Sequence, residues 1–437
     1  MPQTVRSSLD VSTYESSGDM NFPDEILDAI IESLDEGSSD DPNTLSRRPK
    51  EKSAWKACSL VCKRWHNIVL PHLFRSIGIR TLEALAHFVR FFTETRIVAN
   101  QVKALDLEDI QTDVYVLQGL LRALPPLQCL NLESVTIRNG DMDSAHPPQD
   151  VLSLQALTYE DSRDVRLVQC TTVVNLLGLF SDIGTLTLRI IESEEHEPDD
   201  ERFAEAHAIA FAAANVSRKT RIRRLQYGGR HVGGLFVPAY LLKTGAVDNL
   251  THLAFTCTHN TKWEPFCHIV SAAHSTLTGV NIRIRRYSRR VSHNDFAAME
   301  KSFSMCTVLE SVAVSVDLFY SLILKYIRHP DGKRVSAHYY GHSEYWLQTI
   351  RILRLIPVAR LLRVAIGLQG TSTDAHILDW ARLKEWCSGI PHLERIDIEI
   401  RQSYDQRGCF AYEMQGFNQV FTPRFVLPLP TRRLSSL

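Results

Sequence analysis

Leu127-Gln128-Cys129-Leu130-Asn131-Leu132 sets apolar residues at the first, fourth and sixth places of a six-residue unit, and Glu133 follows it. The same unit recurs as Val102/Leu105/Leu107, Leu154/Leu157/Tyr159, Ile183/Leu186/Leu188, Ile222/Leu225/Tyr227 and Leu250/Leu253/Phe255. It continues as Leu277/Val280/Ile282, Leu309/Val312/Val314, Leu361/Val364/Ile366 and Leu393/Ile396/Ile398. If about a third of positions are apolar, roughly ten matches arise by chance, so the signal lies in their intervals. Between middle residues these run 25, 27, 29, 39, 28, 27, 32, 52 and 32 residues, mostly the length of one strand, one helix and two loops.

Stretches of helical texture fill the gaps: Val114 to Leu124, Val165 to Phe180, Phe203 to Val216, Phe296 to Met305, Leu318 to Ile327 and Ile377 to Trp386. Strand and helix alternate, which predicts an α/β fold. The leucine spacing favours an open solenoid over a closed or doubly wound sheet. The solenoid is expected over residues 77–410, with surface insertions at 189–221 and 316–360 in the two long intervals. A brief strand at Ile77 and Ile79 and a helix from Leu82 to Phe92 lead into it.

Upstream the texture differs. Residues 1–19 are rich in Ser, Asp and Glu and are expected to form a disordered acidic arm, since little in them offsets the entropy of ordering. Between residues 10 and 41 stand eleven Asp or Glu and no Lys or Arg. From Phe22-Pro23-Asp24-Glu25 onward, Ile26, Leu27, Ile30, Ile31 and Leu34 recur at helical spacing, and Pro with acids suits a first turn. Residues 35–53 read as a loop. A second helical run takes Trp55, Leu60, Val61, Trp65, Ile68, Val69 and Leu73 as its apolar positions and is interrupted near its end by Pro71.

Phe22-Pro23-Asp24-Glu25-Ile26-Leu27 with Ile30 and Leu34, followed by Ser59-Leu60-Val61-Cys62-Lys63-Arg64-Trp65, resembles an F-box. This is the short helical module by which adaptor subunits join cullin-RING ubiquitin ligases. Two departures stand out: Phe22 replaces the commoner Leu, and the 35–53 loop is longer than usual. The resemblance implies a three-helix module over residues 20–74 that docks a Skp-family adaptor and, through it, a cullin-RING ligase. A module this small cannot bury all its apolar residues, so one face stays available for a partner helix. Phe22, Pro23, Ile26, Leu27, Ile30, Leu60 and Val61 are the candidates for that face, with Trp65 packing between the module's own helices. The alternative is an N-terminal cap that buries the first repeat.

The repeats in turn resemble leucine-rich repeats of the long, helix-containing kind, although the Asn or Cys expected after each strand is mostly absent. That resemblance implies parallel strands on a concave face and helices on a convex face, with the concave face binding a protein substrate for ubiquitination. The implied role is non-catalytic: a substrate receptor supplies proximity, and other subunits carry the transfer chemistry. The alternative is a scaffold that binds a partner without any ligase.

Just after the last apolar residue of each unit stand Glu108, Glu133, Glu160, Arg189, Gly228, Thr256, Arg283, Ser315, Gly367 and Glu399; a preceding position carries Arg224, His252, Arg363 and Arg395. Side chains alternate across a strand, so these residues face away from the apolar ones. Three acids on adjacent strands about 5 Å apart repel unless solvated or met by a ligand. Glu108, Glu133 and Glu160 are therefore expected to meet a basic segment of the substrate, and Arg189, Arg224 and Arg283 an acidic or phosphorylated one. A merely soluble sheet face is the alternative.

Lys and Arg total 49 against 50 Asp and Glu, so no overall field draws the chain to nucleic acid or anionic lipid. The clusters Arg218 to Arg224 and Arg283 to Arg290 have no aromatic nearby beyond Tyr227 and Tyr287, and nucleic acid is not an expected partner. The first twenty residues lack a basic-then-apolar leader and no apolar run reaches eighteen residues, so neither secretion nor membrane insertion is expected. Nine scattered cysteines suit reduced thiols in the cytoplasm or nucleus. Catalytic and nucleotide motifs are absent from the sequence, and no cofactor is expected. Gly228, Gly229, Gly233 and Gly234 read as a turn, and Cys257, His259, Cys267 and His268 lack zinc-site spacing, so no metal is expected either. Residues 411–437 form a C-terminal tail containing Pro423, Pro428 and Pro430.

Overall fold

Leu105, Leu130, Leu157, Leu186, Leu225, Leu253, Val280, Val312, Val364 and Ile396, the middle residues of the ten units, are successive register partners across one parallel sheet. The computed structural model describes residues 24–33, 53–138, 152–161, 166–190, 220–229, 233–257, 263–284, 291–317, 327–328, 334–335, 341–369 and 380–401. Phe22, Pro23, the expected arm at 1–19, nearly all of the 35–53 loop, the helical texture at 203–216 and the 411–437 tail lie outside them. The chain divides into two units, Met1–Ser76 and Ile77–Leu437.

The first unit holds helices α1 (Asp24–Ser33), α2 (Ser53–Ser59) and α3 (Lys63–Phe74). The Arg64 guanidinium grips Asp24 Oδ1 at 2.6 Å and so ties α3 to the first turn of α1. Trp55 of α2 meets the ring of His72 on α3 at 6.0 Å, and Val69 is fully buried. The second helical run is in fact two helices, because the chain turns at Leu60 and Val61, whose N–H groups donate to Ala57 and Cys58. Pro71 does not end α3. It falls in the last turn, where only one intrahelical bond is lost.

In the second unit β1 (Ser76–Ile79), α4 (Leu82–Glu94), α5 (Arg96–Ala99), β2 (Ala104–Glu108), β3 (Gln111–Asp113) and α6 (Val114–Ala123) come first. They are followed by β4 (Cys129–Glu133), β5 (Thr136–Arg138), β6 (Leu152–Asp161), α7 (Arg166–Leu177), β7 (Phe180–Ile190) and β8 (Arg221–Gly229). Next come α8 (Gly233–Lys243), β9 (His252–Cys257), α9 (Glu264–Ala272), β10 (Gly279–Ile284), α10 (His293–Ser304) and β11 (Ser311–Asp317). The two short strands β12 (Ile327–Arg328) and β13 (Arg334–Val335), α11 (Gly341–Arg354), β14 (Arg363–Gln369), α12 (Trp380–Ser388) and β15 (Arg395–Arg401) complete it.

Eleven strands form the main sheet in the order β1-β2-β4-β6-β7-β8-β9-β10-β11-β14-β15. Strand order follows chain order without reversal, so the sheet is neither doubly wound nor closed. This is the α/β, solenoid-like arrangement. Crossovers of one hand place successive helices on the same face of such a sheet. The apolar positions on that side are sealed: Leu105, Leu130, Leu157, Leu186 and Leu225 are all fully buried. An aromatic cluster fills the middle of this layer, with Phe255 stacked on Phe266 at 4.9 Å and Trp263 and Phe303 edge-on to Phe266 at 5.7 and 6.0 Å.

Local chemistry sets the element ends. The Thr81 hydroxyl accepts from the Ala84 N–H at 3.1 Å, the Asp113 carboxylate from the Tyr115 N–H at 2.7 Å, and Ser292 with Asp295 forms a capping box at α10. The missing post-strand Asn or Cys has a physical substitute. Asp109 and Ser134 adopt φ of 55° and 54°, and their N–H groups donate to the Glu133 and Glu160 carbonyls of the next strand. Beside them β3 and β5 make a second, two-stranded parallel ladder.

Several expectations need correcting. Gly228 and Gly229 end β8, and Gly233 and Gly234 open α8. The α8, α9 and α11 helices and the single turn of α5 were not legible as periodic runs. The 316–360 interval is not only a surface insertion, since α11 buries Trp346, Ile350, Ile352 and Leu353. Of the texture at 318–327 only Ile327 is described, and it lies in a strand.

Candidate functional site

The small helical unit leaves apolar side chains uncovered. Leu60 is 85% exposed and Val61 67%, because both sit at the turn between α2 and α3 and point away from the helix contacts; Ile26 and Ile30 on α1 are 45% and 42% exposed. Leu27 is a correction: it is only 3% exposed and belongs to the unit's core, since α1 turns that side inward as it packs on α3. Trp65 is half-buried.

On the sheet the structure brings the predicted surface residues into two rows. Glu108, Glu133, Glu160, Arg189, Gly228, Thr256, Arg283, Ser315, Gly367 and Glu399 are consecutive register partners from β2 to β15. A parallel row four residues upstream reads Ala104, Cys129, Ala156, Thr185, Arg224, His252, Gly279, Ser311, Arg363 and Arg395. Between them Asn131 donates to Asp106 at 2.6 Å.

Two of the three stacked acids, Glu108 and Glu160, already meet a base within the chain. Arg80, just beyond β1, pairs with Glu108 at 2.7 Å, and Arg189 pairs with Glu160 at 3.3 Å. Arg189 is thereby turned toward the acids and away from the basic role the sequence suggested. Arg80 was missed because no repeat precedes β1 to reveal its register. Exposed pairs of this kind contribute about 0.2–1 kcal/mol, so they relieve the repulsion without barring a partner.

Arg224 and Arg363 are exposed and Arg283 is half-buried. Arg221, Arg223 and Arg224 lie within β8 rather than at a loop end, and Arg223 reaches Asp182 at 3.4 Å. Residues 285–290 and Arg218 with Lys219 lie outside the described residues. The His252 ring lies over Gly279, where an added Cβ would come within 2.7 Å of its Cδ2. Desolvation there, and then the Arg224 charge, push the His252 pKa below the usual histidine range. A histidine depressed in this way favours the folded state above its unfolded pKa of about 6.5, and the contribution is lost as pH falls through the folded value. Arg224→Gln is expected to raise the His252 pKa, read as an upward shift in the NMR titration of its ring proton; an unmoved curve would show that Arg224 is not a cause.

Cys257 and Cys267 are buried, whereas His268 next to Cys267 is exposed, so these do not converge; His259 lies outside the described residues. Burial pushes the Cys267 thiol up to about 11, which keeps it protonated. The Tyr227 hydroxyl is buried without a hydrogen-bond partner, and its pKa is raised well above the ordinary value by desolvation and then by Cys267. Among the described residues no helix is long and apolar enough to cross a membrane. No protein-family model matches the chain, and a search of curated proteins finds no similar sequence.

Proposed function

We propose that the chain is a substrate receptor of a Skp-cullin-F-box ubiquitin ligase acting in the cytoplasm or nucleus. In this reading the three-helix unit is an F-box that docks the Skp-family adaptor, the second unit is a degenerate leucine-rich solenoid, and the sheet face opposite its helices binds the protein to be ubiquitinated. The chain brings substrate and ligase together and donates no catalytic group.

One observation carries the reading: a helical unit that buries Leu27 and Val69 still exposes Leu60, Val61, Ile26 and Ile30. Helix-in-groove association gains its affinity from such residues. They fall on the positions where the sequence resembles an F-box. Co-expression of the full chain with a Skp-family adaptor is expected to give a complex that survives affinity capture and gel filtration. If the adaptor elutes alone, the ligase role is wrong and a repeat scaffold without a ligase replaces it.

A further inference from the structure

Only two cysteines, Cys58 and Cys62, fall in the Met1–Ser76 unit, and they bracket the exposed Leu60 and Val61. Both are free thiols; Cys62 is exposed and Cys58 half-buried. The other described cysteines are poorly placed to react. Cys129, Cys257, Cys267 and Cys306 are buried, and desolvation pushes Cys267, Cys306 and the half-buried Cys387 up to about 11. Such groups stay protonated, whereas the thiolate is the form that attacks a disulfide. Among the described residues, thiol exchange is therefore directed to the turn between α2 and α3.

The chain reverses between the two cysteines. The Leu60 N–H donates to the Ala57 carbonyl at 3.1 Å and the Val61 N–H to the Cys58 carbonyl at 3.2 Å. A turn of this kind holds the Cα atoms of Cys58 and Val61 within about 7 Å. Cys62 follows as the N-cap residue of α3, in extended backbone with φ −161° and ψ 170°, and its side chain makes no capping bond. A disulfide needs Cα atoms about 4.4–6.8 Å apart. Rotating the peptide plane between Val61 and Cys62, which lies in neither helix, adjusts that separation. Charge favours one kind of oxidant. Residues 53–75 contain no Asp or Glu, Lys56 and Lys63 are exposed beside the cysteines, and Asp24 on α1 is paired with Arg64. Oxidised glutathione, a small disulfide of net negative charge, is attracted to such a site, and uncharged hydrogen peroxide is not.

We propose that Cys58 and Cys62 form a redox modification site at which oxidised glutathione closes an intramolecular disulfide and switches off adaptor docking. The inference rests on the α2–α3 turn being part of the docking face of the proposed receptor. The Cys62 thiolate attacks one sulfur of oxidised glutathione, whose S–S bond breaks. A mixed disulfide forms on Cys62, and one glutathione leaves as thiolate and takes up the proton that Cys62 gave. The Cys58 thiolate then attacks the Cys62 sulfur and expels the second glutathione in the same way. Two protein thiols are oxidised and one glutathione disulfide is reduced to two thiols, and excess reduced glutathione reverses the exchange. Closing the ring fixes Ser59, Leu60 and Val61 in a loop of altered path. Leu60 and Val61 are then re-aimed relative to α3, and helix-in-groove docking depends on how such side chains are presented.

The test starts from the reduced full chain incubated with excess oxidised glutathione. A Cys58–Cys62 cross-linked peptide is expected on digestion and mass spectrometry. Cys58→Ser is expected to trap one glutathione on Cys62, and Cys62→Ser to form no cross-link. Capture of a Skp-family adaptor is expected to fall at least tenfold on oxidation and to return with dithiothreitol. In Cys62→Ser, checked for an unchanged unfolding curve, oxidation should leave capture as it was. A glutathione adduct on Cys62 of the natural chain without the cross-link, no reaction at either cysteine, equal capture by the cross-linked chain, or equal sensitivity of Cys62→Ser would each overturn the proposal. The reduced chain separates the two readings. If it captures the adaptor and no cross-link forms, this inference alone fails; if the cross-link forms and the reduced chain captures no adaptor, the ligase role fails and the modification site stands.

Discussion

The double variant Leu60→Asp, Val61→Asp is expected to abolish capture of a Skp-family adaptor while leaving the chain folded. Fully burying a Leu or Val side chain stabilises by about 1.5–3 kcal/mol, so losing both from an interface removes several kcal/mol even before the cost of desolvating two carboxylates. At about 1.4 kcal/mol per factor of ten, affinity falls at least a hundredfold. Both residues are largely exposed at a turn, and substitutions at such positions usually move stability by no more than about 0.5 kcal/mol each. Leu27→Asp is the contrasting control. With 3% exposure it puts a charge into the unit's core, so its loss of binding should come with loss of helicity. Retention of full adaptor binding by the Leu60, Val61 variant would show that these side chains are not the docking face.

The second large effect is expected at Phe266. Its ring is fully buried and touches the rings of Phe255, Trp263 and Phe303, so Phe266→Ala opens a cavity where α9 joins the sheet and α10. Phe→Ala in a core costs about 3–5 kcal/mol, and lost aromatic contacts place this site at the upper end. In a repeat array each unit leans mainly on its neighbours, so the damage should be local. Hydrogen exchange is expected to speed up over residues 252–304 first, with β2 and β4 much less affected, and the urea midpoint is expected to fall. An unchanged exchange pattern over these residues would mean that the aromatic cluster is not what holds the middle of the sheet.

How much was legible in advance varies along the chain for physical reasons. The ten strand positions and their mutual register followed from spacing, because a strand buried on one face must present its apolar residues with a period of two. The outward row from Glu108 to Glu399 followed with it. The helices α8, α9 and α11 were missed. α9 buries Pro265, Phe266, Cys267, Ile269 and Val270, too many in succession for a clean helical period, and α11 lies in a long interval with only a moderate apolar stripe. Splitting of the second helical run at Leu60 was hidden because Leu60 and Val61 fit a helical period while standing exposed at a turn.

By itself the sequence determined the alternation of strand and helix, the order of the sheet and the row on which each charge would stand, because these depend on short-range periodicity and on chain order. Tertiary structure alone decided which charges neutralise one another. Arg80 reaches Glu108 and Arg189 reaches Glu160 across strand neighbours 28 and 29 residues apart in sequence, while among the described residues no ion pair is found for Arg224 or Arg363. Likewise, only packing could place Leu27 inside and Leu60 outside, since both are leucines at helical spacing and burial depends on what lies opposite.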